Sequence, residues 1–141
     1  MNAPLYTTEI LRLAASLNEP HALDREDGRA ELRSPTCGSR ISLAVQLDSE
    51  GRVAALSQQV HACAFGQSSA ALMEQGALGR SAAEVGQALA GLGDWLGGSD
   101  VEPGWGLAAL APARSRKSRH GAILMPFRAL AAAIQDAGRD R

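Results

Sequence analysis

Two cysteines carry most of the reactive chemistry in this chain. Cys37 lies in Ser34-Pro35-Thr36-Cys37-Gly38-Ser39-Arg40, and Cys63 in His61-Ala62-Cys63-Ala64-Phe65-Gly66-Gln67. A thiolate is both a nucleophile and a soft metal ligand. Two cysteines are too few to staple 141 residues. The segment Met1-Asn2-Ala3-Pro4-Leu5-Tyr6 lacks a basic region followed by an apolar one, so a cytoplasmic chain is expected. Cytoplasmic thiols stay reduced, so metal binding or thiol chemistry outranks a structural disulfide.

The elements that must hold these thiols can be read from pattern. Pro35 presets one backbone angle and Gly38 permits one that a side chain would forbid, so the Cys37 segment is a turn. It feeds the clearest strand, where Ile41, Leu43, Val45 and Leu47 alternate with Arg40, Ser42, Ala44 and Gln46. Arg29 to Arg33 is a short strand before the turn. Asp48-Ser49-Glu50-Gly51 has hairpin chemistry, and Arg52 to His61 is the third strand. Short links between consecutive strands imply an antiparallel meander.

Helices flank this sheet. Thr7 or Thr8 caps the first, with Ile10, Leu13, Ala14 and Leu17 on one face and Asn18-Glu19-Pro20 at its end. Residues 65–76 form a second. Ser81-Ala82-Ala83-Glu84 is a capping box that opens a third, carried on by Val85, Leu89, Leu92 and Leu96. Leu107 to Ala111 is one helical turn. Ile123, Phe127, Leu130 and Ile134 mark a final amphipathic helix, with Pro126 kinking it or starting its regular part. The sum is an α+β fold: a three-stranded antiparallel sheet packed with several helices, in a single domain over residues 1–141.

Composition narrows the function. Charged residues make up 21% and the net charge is -1, which gives no general pull towards nucleic acid or anionic membrane. No apolar run approaches the roughly 18 residues of a membrane span. The one dense basic run, Arg114-Ser115-Arg116-Lys117-Ser118-Arg119-His120, reads as a solvated loop or as a docking surface for an acidic partner patch through Arg114, Arg116, Lys117 and Arg119.

Four stretches carry a family resemblance: residues 5–15, Ser34 to Ile41, His61 to Ala64 with Gln67 to Met73, and Arg119-His120-Gly121-Ala122-Ile123-Leu124. In these the chain resembles the iron–sulfur cluster assembly scaffolds of the NifU/IscU/SufU type. The resemblance implies the same small α+β fold, and a site of three cysteines and an aspartate holding a nascent cluster or zinc. It implies a cysteine desulfurase that delivers sulfur, iron–sulfur acceptor proteins as further partners, and a monomer or weak homodimer. Cys37 and Cys63 match the first two cysteines and would bind metal or accept sulfur. The aspartate position is Ser39. The third cysteine falls on Gly121 when aligned on His120, and on Ala122 when aligned on Phe127-Arg128-Ala129-Leu130. Neither register restores a thiol.

A tetrahedral zinc site needs four ligands. Beside Cys37 and Cys63, His120 is the best third ligand and His61 the fourth, on the same side as Cys63 if the strand runs through both. Three roles follow: a divergent scaffold that binds iron or accepts sulfur, an adaptor that kept the shape and lost the chemistry, and a zinc-dependent sulfur acceptor as in the SufU branch.

Overall fold

The computed structural model describes residues 6–34 and 38–139. Elements follow the order α1 (Thr8–Ala15), β1 (Gly28–Arg33), β2 (Arg40–Leu47), β3 (Val53–His61), α2 (Ala64–Ala77), α3 (Ala82–Leu96), a 3-10 helix (Leu107–Ala113) and α4 (Lys117–Arg139). The fold is α+β, with one antiparallel sheet in the order β1-β2-β3 among the described residues.

Alternation sorts the sheet into two faces. Ile41, Leu43 and Val45 are buried, and their neighbours across the sheet include Leu56 and Val60 on β3. This inner face packs on α2 and α4. The outer face carries Arg29, Glu31 and Arg33 on β1, Arg40 and Ser42 on β2, and Ser57, Gln59 and His61 on β3. The β2–β3 turn is built as its residues predict: Gly51 has φ +78°, and the Asp48 carboxylate accepts the Glu50 and Arg52 N–H groups at 2.9 Å each.

α2 is the central helix. Phe65, Gly66, Ser68 to Met73 and Ala77 are all buried, so apolar or small residues line it on every side. Its two serines replace lost water with carbonyl partners. The Ser68 hydroxyl donates towards the carbonyl of Ile10 on α1, and the Ser69 hydroxyl donates to that of Ile123 on α4 at 2.6 Å. Two neighbouring helices are thereby indexed against α2.

The capping box of α3 forms as predicted, with the Ser81 side chain on the Glu84 N–H and the Glu84 carboxylate on the Ser81 N–H. α1 is capped by Thr7, but it stops at Ala15, ahead of the expected breaker. There the Ser16 hydroxyl takes the Leu13 carbonyl at 2.7 Å and competes with continued helix.

The link from α3 to α4 holds three successive left-handed residues, Gly104, Trp105 and Gly106, at φ 76°, 59° and 75°. Such a backbone costs a non-glycine residue about 1 kcal/mol or more. Trp105 is held there by Phe127, edge-on at 5.2 Å, and by the Arg80 guanidinium, 4.8 Å from the ring centre. α4 begins at Lys117, so half of the expected basic loop is helix. Pro126 lies inside that helix and has no N–H to give.

Candidate functional site

Ser34 and Gly38, which bracket residues 35–37, lie with Cys63 at one end of the sheet, where β1 meets β2 and β3 leads into α2. The turn after β1 is closed by backbone bonds. The Ser34 N–H donates to the Ser39 carbonyl at 2.8 Å, and the Gly38 N–H to that of Ser34 at 3.1 Å. Gly38 has φ +70°, as its position in the turn requires. Cys37, the first predicted thiol, falls on residues 35–37, outside the described residues. Ser39, at the aspartate position, is only 4% exposed.

Cys63 is a free, half-buried thiol among the described residues. It is the N-cap residue of α2, with extended backbone, and its side chain caps no N–H. It packs at the margin of the hydrophobic core. The strand ends at His61, so the condition for a shared side is not met. His61 stands on the exposed outer face opposite Arg40, while Cys63 lies against the core.

His120 is half-buried in the first turn of α4. Its Nε2 lies 3.0 Å from the Ala113 carbonyl oxygen and 3.1 Å from that of Arg114. Both oxygens only accept, so Nε2 carries the proton and donates. In the neutral ring Nδ1 keeps the lone pair and is the nitrogen available to a metal. Its neighbour Gly121 faces the cysteine turn. A methyl carbon built there would lie 3.8 Å from the Ser34 hydroxyl, the one described atom within 4 Å outside its own stretch of helix. Ala122 points elsewhere: it is 1% exposed, and its side chain and carbonyl crowd Gly66. Of the two registers open in the sequence, the one through Gly121 faces the turn.

Among the described residues no group of three or more His, Cys, Asp or Glu side chains stands close enough to hold a metal ion. His61 and His120 are not gathered with Cys63 into such a group. The described donors therefore do not make up a zinc site on their own.

The basic run divides. The Arg114 side chain donates to the carbonyls of Trp95 at 3.0 Å and Ser99 at 2.8 Å and covers the Trp95 ring, so it braces the end of α3. Arg116 and Lys117 are exposed and Arg119 half-buried. Sequence reasoning missed a second cationic feature, Arg33 and Arg40, which flank the cysteine turn and face each other across the β1–β2 ladder. Pairing them needs the strand register, which the Ser34–Ser39 backbone bond fixes by putting the residues just outside it opposite one another.

Comparison with solved structures finds likenesses that cover nearly the whole chain. The N-terminal part of a nitrogen-fixing NifU-like protein from Brucella abortus superposes with a TM-score of 0.87 and 28% identity, over 97% of this chain and 96% of that one. The likeness supports the chain as a member of the NifU/IscU/SufU-type family. A protein from Fervidobacterium islandicum AW-1, described as an iron–sulfur cluster assembly scaffold for the SUF system, gives 0.82 at 16% identity over 92% and 96%. A hypothetical protein gives 0.75 at 22% identity over 90% and 96%. These last two share the fold of the family. No family model and no curated protein matches the sequence. Against the pattern of that family the chain is divergent, with Ser39 at the aspartate position and no third cysteine.

Proposed function

We propose that this chain serves iron–sulfur cluster biogenesis in the cytoplasm as a scaffold-type protein that accepts sulfur from a cysteine desulfurase. The observation that carries the reading is the end-to-end match to the NifU-like domain, with Cys63 retained as a free thiol at the start of the central helix. Cys63 and Cys37 are the acceptors. In the transfer step the thiolate of Cys63 attacks the outer sulfur of the desulfurase persulfide. A new S–S bond forms on Cys63, the bond to the desulfurase sulfur breaks, and that cysteine leaves as thiolate and regains a proton. Iron is cargo in this scheme. The acceptor thiols bind it, with His120 through Nδ1 as a further donor, and pass cluster components to iron–sulfur acceptor proteins.

The test is to incubate the protein with a cysteine desulfurase and cysteine, then measure intact mass and locate added sulfur by peptide mapping. One sulfur atom on Cys63 or Cys37 is expected, and Cys63→Ser removes the Cys63 signal. Protein that gains no sulfur and binds no iron under anaerobic reconstitution sinks the proposal. A second reading, an adaptor that binds the desulfurase without thiol chemistry, is favoured by one observation: Gly121 brings no donor to the turn it faces. Full cellular activity of a Cys37→Ser, Cys63→Ser double variant would select it.

A further inference from the structure

The sheet ends, on its outer face, in a row whose two arginines break the usual rule for cross-strand neighbours. Arg33 is in register with Arg40, and Arg40 with His61. All three are exposed. Opposite side chains on adjacent strands stand about 5 Å apart, and like charges placed there are destabilising. The next row on this face, Glu31, Ser42 and Gln59, holds one carboxylate. Beyond it, Arg29 is neutralised by Glu26 at 2.8 Å. The ion pairs among the described residues use Arg25, Arg29, Arg52 and Arg80, and neither Arg33 nor Arg40 takes part in one.

We propose that the Arg33–Arg40–His61 row is a docking site for an acidic segment of a protein partner. The row borders a concavity of about 240 Å³ on the sheet face, in which Glu31 is the one acidic lining residue among the described residues. Three strands at about 4.8 Å spacing make the row about 10 Å long. Successive carboxylates on an extended peptide span such a row, whereas one small anion covers a part of it. Guanidinium groups bind carboxylates through paired N–H donors, which fixes the segment in place. The row also lies next to both cysteine segments in the chain: Arg33 precedes the turn at Ser34, and His61 precedes Ala62 and Cys63. A partner seated here is brought to the thiols. Docking at the row stands whether or not those thiols carry sulfur.

Amide shifts of the full isotope-labelled chain, titrated with hexaglutamate peptide, test this. Saturable shifts are expected at residues 31–33, 40–42 and 59–61. Affinity should fall at least about tenfold in R33Q/R40Q, and fall with added salt, since exposed charges are screened. Both positions are exposed, so the double variant is expected to fold, and melting of its secondary structure checks that. Citrate at equal carboxylate concentration is expected to be weaker. Equal binding of citrate, unchanged affinity in R33Q/R40Q, or shifts located elsewhere would overturn the proposal. Cys63→Ser protein should bind the peptide unchanged. Loss of sulfur acceptance with docking intact, or the reverse, therefore separates the failure of one reading from that of the other.

Discussion

Gly121 stands over Ser34, with the Ser34 hydroxyl 3.8 Å from where its β-carbon would be. A side chain fits there. Gly121 is also inside a helix, where glycine costs roughly 0.5–1 kcal/mol relative to alanine. Gly121→Ala should therefore raise stability by about that amount in urea unfolding. Gly121→Cys should fold equally well and bind zinc more tightly than the parent chain, read by competition with a chromogenic chelator. Unchanged zinc binding would mean that position 121 does not share a site with the acceptor thiols.

Gly66 is the opposite case. A β-carbon there would meet the side chain of Ala62 at 2.7 Å, and both the side chain and the carbonyl of Ala122 at 3.3 Å. Neither backbone can withdraw easily, because β3 leads into one and α4 contains the other. Gly66→Ala should destabilise by about 1–3 kcal/mol, the usual cost of overpacking. It should also raise the reactivity of Cys63 towards a thiol reagent, as α2 is pushed from its seat. A stable variant with unchanged thiol reactivity would contradict the close approach of α2 and α4.

Ser69 ties the same two helices by a bond to the Ile123 carbonyl while fully buried. Ser69→Ala removes the donor and leaves a smaller side chain. The expected loss is about 0.5–1.5 kcal/mol, measured as a shift in urea midpoint at constant slope. Ser69→Val adds bulk in the same place and should cost more.

Much of the fold was legible because its signals are local. The alternation of Ile41, Leu43, Val45 and Leu47 and the Ser81–Glu84 capping box depend on residues a few positions apart, and both appear where the sequence puts them. The start of α4 was not legible. Lys117, Ser118, Arg119 and His120 have no apolar period, and they become helix because Ile123, Phe127 and Leu130 anchor the turns that follow. The site was half legible. Cysteine positions stand in the sequence, but whether Gly121 or Ala122 faces the turn is a matter of helix phase. The packing of Ala122 on Gly66 decides that phase, and it joins residues far apart in the chain. The Arg33–Arg40 pair needed a register, which hydrophobic alternation alone does not give.

Glu84 links stability to acid. Its carboxyl is held below the ordinary value of 4.5, first by the Ser81 N–H and then by the Arg80 side chain. In acid the unfolded chain takes up this proton before the folded one does. The contribution of Glu84 is therefore complete above the ordinary value and is lost as pH falls through the depressed one. Glu84→Gln should lower the melting temperature at about pH 7, and the gap to the parent chain should close in strong acid. A gap that stays constant with pH would show that the carboxylate charge has no part in the cap.

α4 packs along β1 and grips its first residues. The Asp136 carboxylate accepts the Arg29 N–H at 2.9 Å, while the Ala133 carbonyl lies where a side chain on Gly28 would go. β1 is an edge strand, and edge strands ordinarily fray. This one cannot peel away while α4 is seated, and α4 leaves only when Ile123, Phe127, Leu130 and Ile134 leave the core. Hydrogen–deuterium exchange should therefore find the β1 amides bonded to β2 among the slowest in the molecule, well behind those of α1, which buries Ile10 alone. The outer margin of the sheet would then report the unfolding of the whole chain.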